Sequence, residues 1–207
     1  MSTITKIASF ILAGSILAVL VFSSRYFDSS YYEGKTVVGL GDSLTFGIGA
    51  AVDENYVSRL ALELNVRMFN KGVNGDMVEE GLNRIQSDVL DLKPDVVIVL
   101  LGGNDFLENI PLSETKNNLA KILDILNEHK IKVVLVGVHQ QFLSNYEKMY
   151  QDLAREKGVA GYVPGILSGL YQHSQYMFND FHPNAVGYQI VAERIEPVLR
   201  RVLISRQ

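Results

Sequence analysis

The sequence predicts an α/β domain built on a parallel sheet of about five strands, with helices on both faces and an apolar helix ahead of it. Three observations carry this. Segments of strand length alternate with segments of helical periodicity from about residue 36 onward. The strand segments are continuously apolar, as in Asp95-Val96-Val97-Ile98-Val99-Leu100-Leu101, which is the pattern of a strand covered on both faces. Glycine, asparagine and histidine collect where these strands run out, and ligands in such sheets bind at the carboxyl ends of the strands.

The first strand spans 36–41 and runs into Gly39-Leu40-Gly41-Asp42-Ser43-Leu44-Thr45-Phe46-Gly47, a glycine-flanked turn between a buried strand and a helix. That helix starts at Asp53, with Val57, Leu60, Ala61 and Leu64 at helical spacing. Val66 to Asn70 reads as the second strand. Gly72-Val73-Asn74-Gly75-Asp76 then opens a helix in which Asp76 and Glu79 resemble a capping box and Val78, Leu82, Ile85 and Val89 form the buried face. Lys93-Pro94 stops it, and the third strand ends in Gly102-Gly103-Asn104-Asp105. A helix from Ser113, a fourth strand over 133–138, a helix over 144–157 and a short strand over 159–163 follow. The last helix begins after His182-Pro183, and Pro197 is expected to kink it.

The 207-residue chain carries a net charge of −4 and no cluster of Lys or Arg, which argues against nucleic acid as a partner. The absence of cysteine excludes disulfides, a thiol nucleophile and a lipid-bearing N-terminal cysteine. Ile7 to Phe22 is apolar or small between Lys6 and Arg25. Its length lies between a secretory signal and the about 17–25 residues of a transmembrane helix, and Val21-Phe22-Ser23 is a poor cleavage site. The sequence therefore gives 1–24 as a membrane anchor or signal segment, with an uncleaved anchor favoured, 25–35 as a polar linker and 36–207 as the domain. Both versions place the domain in a bacterial-type cell envelope. It is then held at the inner membrane facing the periplasm or exterior, or secreted if the segment is cleaved. Tyr31-Tyr32 would lie at the membrane interface.

Ser43, Gly75, Asn104 and His182 all fall on strand-to-helix loops or just before the last helix, so one sheet edge can gather them. Acyl transfer requires a nucleophile, a base and donors for the developing oxyanion. Ser43 suits the first role and His182 the second. The N–H groups of Ser43 and Gly75 and the Asn104 amide suit the third, with glycine at 75 letting its N–H approach substrate without a Cβ in the way. The competing interpretation of the Ser43 turn is a phosphate or flavin cradle in a binding protein, which leaves Gly102-Gly103-Asn104-Asp105 and His182-Pro183 unexplained. No Gly-x-Ser-x-Gly is present, which argues against the larger α/β-hydrolase class.

These residues resemble the SGNH hydrolases, or GDSL esterases and lipases. Gly41-Asp42-Ser43-Leu44 is similar to the family's nucleophile block, Gly75 to its second, Gly102-Gly103-Asn104-Asp105 to its third and His182-Pro183-Asn184 to its last. The order fits, over about 36–204, and bacterial thioesterase, lysophospholipase and arylesterase members are nearest in character. The resemblance implies a flavodoxin-like three-layer fold, and ester or thioester hydrolysis through an acyl-enzyme without metal or other cofactor. The implied substrates are small-molecule or lipid esters. An envelope polysaccharide O-acetylesterase, or a catalytically impaired domain that binds glycan or lipid, is the alternative.

The chain departs from the family at the triad acid. The family's aspartate stands three residues before the histidine, where this chain has Asn179, and Asp180 is two before it. Either a shortened loop brings Asp180 to His182, or Asn179 or a backbone carbonyl orients the ring, or the site is impaired. His139, directly after the fourth strand, is a further candidate at the catalytic edge. His129 closes a helix, and His173 lies on the surface. Asp42 and Asp105 are expected to bind loop backbone, and no histidine pair has metal-ligand spacing. Phe46, Ile48, Phe106, Leu107 and Ile110 are candidates to line an acyl pocket.

Overall fold

The computed structural model describes Tyr32 and residues 34–138 and 144–205. Its sheet has five parallel strands in the order β2-β1-β3-β4-β5: β1 Thr36–Gly41, β2 Arg67–Gly72, β3 Val96–Leu100, β4 Lys132–Val136 and β5 Gly161–Val163. The chain moves from β1 outward to β2, then crosses back to β3 on the other side of β1. The topological switch point, where open α/β sheets bind ligands, therefore lies at the β1 and β3 ends.

Helices cover both faces. On one side α2 (Tyr56–Leu64) and α8 (Ala185–Ile204) close a core that includes Val37, Ile98, Leu100, Val134 and Val136. On the other, α3 (Val78–Asn83), α6 (Leu112–Glu128) and α7 (Ser144–Glu156) pack over Val38, Leu40, Val97, Val99 and Leu135. Every residue of β3 is buried, as its unbroken apolar run requires. The short helices α1 (Ser43–Phe46), α4 (Ile85–Asp88) and α5 (Gly103–Leu107) follow β1, α3 and β3.

Several boundaries differ from the sequence expectation. α2 starts at Tyr56 rather than Asp53, because Asn55 is its cap and accepts from Ser58 N at 2.9 Å. The Asp76–Glu79 capping box does not form. Glu80 accepts from Met77 N at 2.7 Å instead, while the Asp76 carboxylate is engaged by Arg84. The expected single helix breaks at Arg84 into α3 and α4, and a 3₁₀ turn over Leu90–Leu92 completes the segment. α8 continues through Pro197 as one element.

Tyr32 is not at a membrane interface. It is 1% exposed, packed in the α2–α8 core with the Arg200 guanidinium over its ring. The proposed anchor 1–24, Tyr31 and His139 lie outside the described residues. Among the described residues no helix is long and apolar enough to cross a membrane.

Candidate active site

Three adjacent strands deliver three site residues: β1 leads to Ser43, β2 to Gly75 and β3 to Asn104. Ser43 is the first residue of α1, where helix geometry leaves the amide N–H without an intrahelical acceptor. The Asp42 carboxylate accepts from Leu44 N at 2.9 Å and sets the turn. Gly41 permits it, since a Cβ there would lie 2.0 Å from Thr45 Oγ1 and 2.6 Å from the Leu100 carbonyl. Asn70 Nδ2 ties the Thr45 carbonyl to β2 at 2.6 Å, fixing the far end of the short helix.

His182 is held by a tight turn before α8. Met177 bridges Pro183, Phe178 N donates to the His182 carbonyl at 2.8 Å, and Asn184 caps α8 by accepting from Val186 N and Gly187 N. The Tyr188 hydroxyl reaches back to the Ile48 carbonyl at 3.0 Å, locking this turn to the loop after Ser43. The result is a direct contact, with His182 Nε2 2.9 Å from Ser43 Oγ across 139 residues of sequence.

The other ring nitrogen faces Asn179 rather than Asp180. His182 Nδ1 lies 3.0 Å from Asn179 Oδ1, which also accepts from Phe181 N at 3.0 Å and His182 N at 2.8 Å. Two backbone donors identify that atom as the amide oxygen, so Nδ1 carries the proton and Nε2 presents its lone pair to the serine. Asp180 is exposed and, among the described residues, has no hydrogen bond to His182. A shortened loop does not bring it to the ring, because the Asn179 side chain occupies the turn.

Gly75 adopts φ +88°, and a Cβ there would meet nothing within 4 Å. The left-handed backbone favours glycine there, and the side on which a Cβ would stand is open. Asn104 Nδ2 donates one proton to the Asp76 carbonyl at 2.8 Å, the second having no hydrogen bond among the described residues, and Asp105 Oδ2 accepts from Val78 N at 3.0 Å. This adjacent pair clamps the segment after Gly75 against α5. Thr115 donates to Asp105 Oδ1 at 3.1 Å, and both aspartates hold backbone N–H groups, at the helix starts Leu44 and Val78 rather than in the loops.

Burial governs the titration of the site. It lowers the His182 pKa from its ordinary 6.5, which favours the neutral ring that can accept a proton. Burial also raises the Asp42 carboxyl to about 7, against the opposing Leu44 N–H, and raises Asp105. Among the described residues no group of three or more His, Asp or Glu is placed to hold a metal ion.

A cleft of about 90 Å³ opens beside Ser43, Asn104 and His182, with apolar walls from Leu44, Leu107, Val138, Leu167, Tyr171 and Phe181. Of the five pocket candidates from sequence, only Leu107 lines it. Phe46 is exposed, and Phe106 packs edge-on against Tyr146 with ring centroids 5.7 Å apart. Leu167 and Tyr171 belong to a stretch without helical or strand periodicity, so nothing in the sequence marked them. His173 is exposed, and His129 caps α6 through Nδ1 to the Ile125 carbonyl.

The sequence pattern of the GDSL-like lipase/acylhydrolase family matches residues 40–190, from the end of the strand that leads to Ser43 to the start of the helix after His182. The chain belongs to this family. Esterase TesA of Pseudomonas aeruginosa is 25% identical over 181 residues, 82% of this chain and 90% of that protein. The Escherichia coli K12 protein named thioesterase 1/protease 1/lysophospholipase L1 is 25% identical over 167 residues, covering 76% of this chain and 80% of its own. A crystal structure of TesA superimposes with a TM-score of 0.76 at 26% identity, over 81% of this chain and 99% of its own. The family member described here is accordingly a carboxylic ester hydrolase.

Proposed function

We propose that this esterase hydrolyses short-chain carboxylic esters or thioesters through an acyl-enzyme on Ser43, with His182 as general base and Asn179 as its orienter. The observation that carries the reading is the unbroken relay: Ser43 Oγ to His182 Nε2 at 2.9 Å and His182 Nδ1 to Asn179 Oδ1 at 3.0 Å.

In the first step Ser43 Oγ attacks the acyl carbon while its proton passes to His182 Nε2, and the carbonyl oxygen becomes an oxyanion. The Ser43 and Gly75 N–H groups and the second Asn104 amide proton receive that charge. Collapse breaks the bond to the leaving alcohol or thiol, which takes the proton from His182. Water then attacks the acyl-enzyme with His182 again as base, and the second collapse releases the acid and restores the Ser43 hydroxyl.

The cleft limits the acyl group. Its volume of about 90 Å³ matches roughly three water-sized groups, the bulk of a two- to four-carbon acyl chain. Longer chains must extend out of the cleft past Phe181, an exposed apolar side chain of its wall. The same confinement supports envelope polysaccharide O-deacetylation as the second reading, which an acetyl-only profile selects. The location completes the proposal: Lys6 and the apolar run Ile7 to Phe22 act as an anchor (1–24), and of the linker expected over 25–35 the part ahead of the buried Tyr32 tethers the domain at the outer face of the cytoplasmic membrane.

The test is hydrolysis of p-nitrophenyl acetate, butyrate, octanoate and palmitate by the full chain in detergent. Activity is expected to peak at acetate or butyrate and to vanish in Ser43→Ala. Turnover that survives Ser43→Ala refutes the nucleophile assignment, and a complete lack of hydrolysis by the parent selects an impaired, binding-only domain.

A further inference from the structure

An oxyanion hole assembled from three separate loops works only if their spacing is fixed before the reaction. One ion pair touches all three loops in this structure. Arg84 lies at the break between α3 and α4, with non-helical φ −102° and ψ 7°. Its Nη2 donates to the Gly41 carbonyl at 2.9 Å, two residues before Ser43. Nη1 donates to the Lys71 carbonyl at the end of β2 at 2.9 Å and to Asp88 Oδ2 at 2.8 Å. Nε donates at 2.6 Å to Asp76 Oδ2, on the residue that follows Gly75. The Asp76 carbonyl in turn receives the Asn104 amide at 2.8 Å.

We propose that the Asp76–Arg84 ion pair is the positioning element of the oxyanion hole, setting the separations of the Ser43, Gly75 and Asn104 donors without touching substrate. The inference rests on the catalytic reading above and deepens it. The guanidinium geometry explains why arginine is suited here: its planar fork reaches two carbonyls and two carboxylates at once, which a lysine ammonium on a single point cannot do. The side chains of Asp76 and Arg84 are only 9% and 16% exposed. A shielded pair of this kind contributes little net stability, so geometric specificity is the better account of its presence.

The pair is tested on the full chain in detergent with Arg84→Met, Arg84→Lys and Asp76→Asn, each assayed well below its own melting temperature. Three quantities are read: kcat and KM for p-nitrophenyl butyrate, and inhibition by a short-chain trifluoromethyl ketone. The ketone's adduct with serine carries an oxyanion. Loosening a reacting geometry by about 1 Å costs ~10²-fold, so Arg84→Met is expected to lower kcat by about that factor with KM changed less than about threefold. Ketone affinity should fall in parallel, Arg84→Lys should recover part of both losses, and Asp76→Asn, which keeps shape and one hydrogen bond, should lose less than Arg84→Met.

A folded Arg84→Met with kcat within about threefold of the parent overturns the proposal, as does a loss of kcat with ketone affinity unchanged. Should Arg84→Met not fold, Asp76→Asn decides on the same ketone criterion. A parent that neither hydrolyses the ester nor binds the ketone refutes the catalytic reading itself. An active, ketone-sensitive parent with indifferent variants refutes the positioning role alone.

Discussion

Asn179→Asp places a carboxylate where the amide oxygen now lies 3.0 Å from His182 Nδ1. The change adds a full negative charge beside the imidazolium that forms as Ser43 is deprotonated. At about 4 Å between charge centres the attraction is about 4 kcal/mol at an effective dielectric of 20 and about 1 kcal/mol in water. Asn179 is exposed and His182 partly so, which brings the gain to about 1–2 kcal/mol, or about 5–30-fold in kcat/KM. The loss of about 10⁴ that follows an acid-to-amide change in a serine protease comes from the wrong imidazole tautomer. That penalty is absent here, because the Phe181 and His182 N–H groups hold the Asn179 oxygen toward the ring. The carboxylate also favours the protonated ring, so the His182 pKa rises and the acid limb of kcat/KM moves up by about one pH unit. The assay is kcat/KM for p-nitrophenyl butyrate from about pH 5 to about pH 9, parent against variant. An unchanged rate with an unmoved acid limb refutes the relay through Asn179. A rise of about 10³ or more also refutes the reasoning, since it means that the amide does not hold the productive tautomer.

Further outcomes follow from the same geometry. In the parent, the acid limb of kcat/KM should lie below the ordinary histidine value of 6.5, because burial disfavours the imidazolium; a limb above it contradicts the placement of the ring. Asn104→Ala should lower kcat by about 10²–10³ with little change in KM, as loss of one oxyanion donor does. Asp42 is neutral in the folded state up to about pH 7 but ionises near 3.8 when unfolded, so its contribution to stability falls as pH rises through that window. Asp42→Asn, which does not titrate, should therefore gain in melting temperature relative to the parent between pH 4 and pH 8, and an equal difference at both ends contradicts the buried carboxyl. Leu167→Trp should fill the cleft and suppress butyrate hydrolysis more than acetate hydrolysis, read from the ratio of the two kcat/KM values.

The layered fold was legible because its signals are local. Unbroken apolar runs such as Val96 to Leu100 and helical spacing such as Val57, Leu60 and Leu64 each specify an element without knowledge of the rest. The meeting of Ser43, Asn104 and His182 at one cleft was legible in the topology, since every loop after a parallel strand opens on the same edge. The support for His182 was not legible. Whether Asn179 or Asp180 faces Nδ1 depends on a turn closed by the Met177–Pro183 bridge and by N–H donors from Phe181 and His182, a tertiary arrangement that residue spacing does not encode. Arg84 escaped notice for a related reason. Nothing in its sequence position separates it from the other charged residues of an amphipathic helix, and only the break between α3 and α4 turns it onto the sheet edge. The capping assignment of Asp76 failed with it, because a carboxylate held by Arg84 is not available to cap α3.

The central claim is that Ser43 carries the acyl group, and the most direct test is to trap it. The full chain would be mixed with p-nitrophenyl butyrate, quenched in acid within milliseconds to seconds, digested and examined by mass spectrometry, with Asn104→Ala run in parallel to slow deacylation. The account predicts a butyryl adduct on the peptide containing Ser43, formed on the same timescale as the release of p-nitrophenol and absent from Ser43→Ala. An adduct on another residue, or steady hydrolysis by Ser43→Ala, contradicts it.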